Sequence, residues 1–156
     1  MENNLTVVEY KEHDKLLDFY ISRGIEFGDD KKYFHPPVFS YVALINDELV
    51  GAITVCKEED DFILDEVAVK EEYTNKGICK TLVDTVIKRI EKENGNCNMY
   101  LVAKHPEVFT SMGFKEIPRE DSPSFSECFT CPDFQKNCFP KVMVKNIIVL
   151  EDKKIK

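Results

Sequence analysis

The segment Asp65-Glu-Val-Ala-Val-Lys-Glu-Glu-Tyr-Thr-Asn-Lys-Gly-Ile-Cys-Lys-Thr-Leu82 concentrates residues whose types and spacing could do chemistry. An apolar, β-rich stretch runs into a short loop at Asn75-Lys76-Gly77, and the loop feeds a strongly amphipathic helix. The first N–H groups of a helix have no partner inside it, and the helix dipole places positive charge at the same end. Such a terminus binds anions. Lys76 and Lys80 add charge, and Gly77 permits a backbone conformation or a close approach that a larger residue would block. A pyrophosphate suits a nest of this kind. The plainer alternative is an ordinary strand-to-helix turn, where Asn, Lys and Gly are common.

Two side chains are candidates for moving a proton. Alternation along the strand puts Glu66 on the face shared by Leu64 and Ala68, opposite Val67 and Val69. A carboxylate there could act as a general base. The other reading is a solvated Glu66, or one paired with a lysine. His105 follows the apolar run Met99–Ala103 and precedes a short helix, and an ordinary imidazole pKa of about 6.5 suits proton transfer at neutral pH. Its alternative role is a helix-start histidine bonded to backbone.

A second cluster is Ser126-Glu-Cys-Phe-Thr-Cys-Pro-Asp-Phe-Gln-Lys-Asn-Cys-Phe-Pro140. Cys128 and Cys131 have the Cys-x-x-Cys spacing that lets two thiolates meet one metal, and Cys138 follows. A structural zinc would need a fourth ligand. His35, Asp133 and Cys97 are the candidates, and spacing does not choose among them. A redox-labile pair, or buried thiols under a long loop, are the alternatives.

The elements that must position these residues read as follows. Leu5–Tyr10 is a strand, and Asp14–Arg23 a helix stopped by Gly24. Residues 24–37 have loop composition. Ser40–Ile45 and Leu49–Lys57 form a hairpin about Asn46-Asp47-Glu48, and Phe62–Val69 follows the acidic turn Glu58–Asp61. In the helix Ile78–Glu91, Ile78, Leu82, Val83, Val86, Ile87 and Ile90 share one face, with Lys80, Thr81, Asp84, Lys88 and Arg89 on the other. Met99–Ala103 is a buried strand, Pro106–Met112 a short helix ended by Gly113, and Phe114–Ile117 a strand. Residues 119–139 form a long connection, and Val142–Leu150 a last strand. Hairpins followed by alternating strand and helix predict an α/β (α+β) sandwich, as one domain over residues 1–156.

Composition bounds the partners. The chain has 156 residues, 43% hydrophobic, with eleven Phe and six Tyr, enough for a real core. A formal charge of -8 repels phosphate backbones, which argues against nucleic acid and draws cationic amines. The first residues do not read as a signal peptide, and no segment approaches the roughly 20 apolar residues that span a bilayer. The expectation is a soluble cytoplasmic protein, with no membrane partner, whose six cysteines stay reduced or bind metal.

The segment Val67–Leu82 resembles the central motif of the GNAT superfamily of acyl-CoA-dependent N-acetyltransferases. That motif is Gln/Arg-x-x-Gly-x-Gly/Ala, and the six positions here read Thr74-Asn75-Lys76-Gly77-Ile78-Cys79. Pro106-Glu-Val-Phe-Thr-Ser-Met-Gly-Phe114 is similar to the family's short helix ending in Gly-Phe, and the resemblance covers roughly residues 38 to 118. It implies a mixed, mostly antiparallel sheet flanked by helices and splayed between its central strands, here 62–69 and 99–103. It further implies that the backbone of Val67, Ala68 and Val69 pairs with the pantetheine arm of acetyl-CoA. The N–H groups of Thr74, Asn75, Lys76, Gly77, Ile78, Cys79 and Lys80 would then hold its pyrophosphate. The chain departs from the motif at Asn75 and Cys79. Phe109 aligns with a frequent tyrosine that protonates the departing thiolate, so water, Ser111, Thr110 or His105 would have to replace it, or the thiolate leaves unassisted. The cysteine segment resembles an element of small members of amino-acid N-acetyltransferase type. Leu101–Glu107 through Gly113-Phe114 is somewhat similar to the GNAT-type N-terminal domain of citrate lyase ligase.

The implied activity is transfer of an acetyl group from acetyl-CoA to a primary amine of a small molecule, an amino acid or polyamine, by direct attack. Protein N-termini or lysines are other acceptors. The implied catalytic residues are Glu66 and His105, in a monomer or homodimer. The rival readings are a non-catalytic CoA-binding regulator and a metal-stabilised interaction module on residues 125–140.

Overall fold

The computed structural model describes residues 5–23, 37–94, 96–103, 106–118 and 141–148. Strand β1 is Leu5–Glu9, helix α1 is Leu16–Ser22, β2 is Pro37–Ile45, β3 is Glu48–Glu58 and β4 is Asp61–Val69. Helix α2 is Ile78–Asn94, β5 is Cys97–Ala103, α3 is Pro106–Thr110, β6 is Lys115–Ile117 and β7 is Lys141–Ile147. Short 3-10 turns occupy His13–Lys15 and Glu71–Tyr73.

The strands form one seven-stranded sheet in the order β1-β2-β3-β4-β5-β7-β6. Every pairing is antiparallel except β4 with β5. The expected α+β architecture is therefore present. Ile45 pairs with Glu48, so the first hairpin turns on Asn46 and Asp47 alone, whose φ angles are 53° and 69°. Two consecutive positive φ values match the right-handed twist of the strands, and Asn and Asp tolerate them.

Helix α2 covers one face of the sheet. Ile78, Leu82, Val83, Val86, Ile87 and Ile90 are buried against Ile53, Val55, Phe62, Leu64, Met99 and Leu101. Each such side chain contributes on the order of 1.5–3 kcal/mol through burial. On the other face, α1 buries Leu16 and Tyr20 against Val42 and Ala52. Arg89 departs from the expected solvent face of α2: it is half-buried, with its guanidinium 4.3 Å from the centre of the Phe39 ring. Its long apolar stem lets a charged residue flank a core.

Candidate functional site

The parallel pair β4–β5 is short. Only Phe62 with Met99 and Ile63 with Tyr100 are in register, although β4 continues to Val69 and β5 to Ala103. The two strands then diverge, leaving an open wedge along the second half of β4. Alternation decides what this edge presents. Lys70 N–H donates to the Val50 carbonyl at 2.8 Å, on the β3 side. The backbone groups of Val67 and Val69 therefore face the wedge, and those of Ala68 face β3. Arg23, just past α1, donates from Nε to the Val69 carbonyl at 2.8 Å.

A β-bulge changes the reading of this strand. Thr54 pairs with Glu66 and Val55 with Leu64, so Asp65 is an extra residue in β4. Strict alternation had set Leu64 beside Glu66. The bulge instead turns Leu64 to the α2 face with Val67 and Val69, and leaves Glu66 with Ala68 on the α1 face. Glu66 is half-buried, directly across from Thr54. Beside it, burial and the neighbouring Asp65 carboxylate push the Cys56 thiol up, so it stays protonated.

Beyond Val69 the chain makes one 3-10 turn and arrives at α2. Thr74 N–H donates to Glu71 O at 3.2 Å, and its hydroxyl donates to the same oxygen at 2.8 Å. Asn75 has φ 64° and Gly77 φ 83°. A Cβ built on Gly77 meets nothing within 4 Å, so glycine is required for the backbone angle rather than for crowding, and space lies open beside it. Thr81 N–H closes the first helical bond on Gly77 O at 3.0 Å. The N–H groups of Ile78, Cys79 and Lys80 precede it and have no carbonyl within the helix to bond. Ile78 is buried in the core, and Cys79 is a half-buried thiol whose pKa burial pushes up to about 11. Lys76 is exposed, and Lys80 is exposed with its ammonium 2.9 Å from Asp84. An exposed pair of this kind is weak and yields readily to a stronger anion.

Phe109 packs against the core, edge-on to Phe114 at 5.9 Å. The Thr110 hydroxyl donates to Pro106 O at 3.1 Å and that of Ser111 to Val108 O at 2.7 Å, both within their own turn. His105, His35, Asp133, Cys128, Cys131 and Cys138 lie outside the described residues. Among the described residues, no group of three or more His, Cys, Asp or Glu side chains is arranged to hold a metal, and no helix is long and apolar enough to cross a membrane. Cys97, at the start of β5, is half-buried opposite Ile147.

Residues 8 to 114 match the Acetyltransferase (GNAT) family. The chain belongs to this family. An uncharacterized N-acetyltransferase of Chlorobaculum tepidum is 32% identical to this GNAT chain over 83 residues, which are 52% of each protein. The chain thus matches about half the length of that curated relative. A GNAT acetyltransferase of Staphylococcus aureus Mu50 superposes with a TM-score of 0.68 at 21% identity, over 92% of this chain and 99% of that one. An aminoglycoside 6'-N-acetyltransferase complexed with coenzyme A gives a TM-score of 0.68 at 19% identity, over 94% and 99%. At these identities the two structures attest the GNAT fold alone.

Sequence reasoning missed several residues around the wedge. Arg23 lies 46 positions from its partner Val69, and nothing local marks the contact. Ser40, Thr54 and Tyr20 form a buried polar group on the α1 face. A lone Ser or Thr within an apolar strand is the signal the sequence offers for Ser40 and Thr54.

Proposed function

We propose that this GNAT acetyltransferase moves an acetyl group from acetyl-CoA to the primary amine of a small molecule, of amino-acid or polyamine type, within a single cytoplasmic domain spanning residues 1–156. One observation carries the reading. The open wedge presents the polar edge of Val67 and Val69 and leads directly to the left-handed turn at Asn75–Gly77 and the start of α2. An extended amide-bearing arm fits the first part, and a pyrophosphate the second.

Val67 and Val69 would bond the pantetheine amides, with Ala68 spacing them. The amides of residues 75–80, with Lys76 and Lys80, would hold the pyrophosphate. Thr74 would brace the turn through its bonds to Glu71. The amine would enter from the α1 face and lose its proton to Glu66 or through water, and its nitrogen would attack the thioester carbonyl. Carbon–sulfur cleavage would then release a thiolate. An ordinary thiol pKa of about 8.5 makes its unassisted departure inexpensive. His105 would be the second candidate for the amine's proton, from its place in the sequence just before α3.

Calorimetric titration with acetyl-CoA tests this, beside Gly77→Glu, which puts a carboxylate in the space next to the turn. Binding lost in the variant, with amine-dependent release of CoA across amino acids and polyamines, supports the reading. No binding to either protein overturns it. The core-bound Phe109 ring, which has no proton to give, favours a non-catalytic CoA-binding regulator as the second reading. Tight binding without turnover would support that. A structural zinc on Cys128, Cys131 and Cys138 is a separate proposal from spacing, checked by metal content before and after Cys128→Ser.

A further inference from the structure

Among the described residues, the fully buried polar side chains are Ser40 and Thr54. They lie side by side. Ser40 pairs with Thr54 across β2 and β3, and Thr54 pairs with Glu66 across β3 and β4. The three residues make a polar row across the α1 face, perpendicular to the strands, ending at the wedge. Ser40 Oγ is 2.9 Å from Thr54 Oγ1, and the Tyr20 hydroxyl is 2.8 Å from the same Thr54 oxygen. At the far end, His13 Nδ1 is 2.8 Å from Ser40 Oγ. His13 is half-buried on the 3-10 turn before α1, so the row runs from the wedge to a group with access to water.

Alanine and valine would fill these two positions in an apolar layer without any polar desolvation. A continuous chain of hydroxyls both stores a hydrogen-bond direction and can transmit a proton. Each hydroxyl has one hydrogen to give and lone pairs to receive another. With Tyr20 donating to Thr54, Thr54 to Ser40 and Ser40 to Nδ1, the whole chain points toward the imidazole.

We propose that Thr54, Ser40 and His13 are a proton exit for the transfer reaction, relaying to solvent the proton that Glu66 removes from the amine. The proposal rests on the acetyltransferase reading and on Glu66 as its base. Glu66 stands across from Thr54 at the spacing of a cross-strand pair, about 5 Å between Cβ atoms. The protonated carboxyl gives its hydrogen to Thr54 Oγ1, Thr54 gives its own to Ser40, and Ser40 gives its own to Nδ1. The imidazolium then releases the Nε2 hydrogen to water, the ring exchanges its new Nδ1 hydrogen for one on Nε2 through solvent, and the hydroxyls rotate back. Every oxygen ends with the hydrogen count it began with, and nothing is oxidised or reduced. Tyr20 holds Thr54 in orientation and is a positioning residue. Among the described residues, the charged groups acting on His13 include Asp14 on its own turn and Glu9 on β1, both of which favour the imidazolium. Burial opposes them and prevails, which keeps the ring neutral and ready to accept.

The test compares wild type with His13→Gln and Thr54→Val in amine-dependent release of CoA, using spermidine, lysine and a panel of amino acids as probes. His13→Gln still offers Ser40 a polar partner and is the variant expected to keep its fold. The expected result is a fall in kcat of about tenfold or more with KM for acetyl-CoA unchanged. The acid limb of the pH profile that belongs to His13 disappears in the variant, and added imidazole restores the rate of His13→Ala. A folded His13→Gln protein with wild-type rate and pH profile overturns the relay. Nitrogen shifts of His13 give a readout that needs no substrate: the resting ring must carry its proton on Nε2, and a proton on Nδ1 overturns the relay whatever the amine assay gives. A wild type that binds acetyl-CoA but turns over no amine overturns the transferase reading instead, and the relay with it.

Discussion

Arg23 and Val69 are joined across the edge of the wedge by an Nε–H···O bond of 2.8 Å. The carbonyl that Arg23 holds is one that faces away from β3, into the space where a cofactor arm is proposed to lie. The guanidinium and an incoming amide therefore meet at one oxygen, and they compete where both approach from the same side. In the unligated protein the bond docks the end of α1 onto β4. A complex whose amide approaches Val69 from the side that Arg23 occupies must release it.

The cycle makes a prediction in which stability and affinity move in opposite directions. Arg23→Ala should lower the stability of the unligated protein by about 1 kcal/mol, since Arg23 is only half-buried. Binding of acetyl-CoA should tighten by several fold, because the variant no longer breaks that bond on binding. Calorimetry beside a thermal melt reads both quantities. Weaker acetyl-CoA binding by the variant would mean that Arg23 contributes to the complex and that the competition does not exist.

Gly113 provides a second test, on the segment that carries α3. Its φ is 96°, and a Cβ there would collide with Lys145 Nζ, which donates to Met112 O at 3.2 Å. Gly113→Ala should destabilise by about 1–3 kcal/mol, from backbone strain together with displacement of the lysine. Adding Lys145→Ala removes the collision but not the strain, so the double variant should be more stable than the sum of the two singles. Strict additivity in urea melts would rule out the steric part.

The Cys79 thiol predicts a pH dependence. Burial raises its pKa to about 11 from an unfolded value of 9.0. The folded state thus keeps a proton that the unfolded state has lost. The resulting stability is fully present below about pH 9 and is lost as pH rises toward 11, by roughly 2–3 kcal/mol. Lysines and tyrosines titrate in the same range, so the informative quantity is the difference between wild type and Cys79→Ala. That difference should change between pH 8.5 and pH 11 in urea melts, and a constant difference would mean that the thiol is not shielded.

The parts of this protein legible in its sequence are those written in local spacing. Six apolar positions at helical period gave α2, and Asn46-Asp47 between β-rich runs gave the first hairpin. A strand, a glycine loop and a helix in succession gave the turn at Asn75–Gly77. The GNAT resemblance then supplied the splay of β4 and β5, which periodicity alone does not contain. What escaped depends on contacts between distant segments. The bulge at Asp65 carries neither Gly nor Pro, so alternation ran through it unchecked and put Leu64 on the wrong face. Ser40 and Thr54 look like ordinary strand residues until registers align them with Glu66. Arg89 looks like a solvent-facing helix residue until Phe39 is brought beneath it.

That last contact carries the final prediction. Arg89 stacks 4.3 Å from the centre of Phe39 while its Nη1 lies 3.1 Å from Glu9 on β1 and its Nε lies 3.2 Å from Glu93 one turn on. One planar fork therefore ties α2 to β1 and β2 at once. A lysine ammonium is a point charge and cannot stack on the ring while meeting both carboxylates. Arg89→Lys should therefore destabilise by about 1–2 kcal/mol, or roughly 3–6 °C in Tm. High salt should narrow the gap without closing it, because the exposed share of the ion pairs is screened and the ring contact is not. If Arg89→Lys matched wild type at low and high salt alike, Arg89 would be only a surface charge, and the union of α2 with the β1 edge would rest on apolar packing alone.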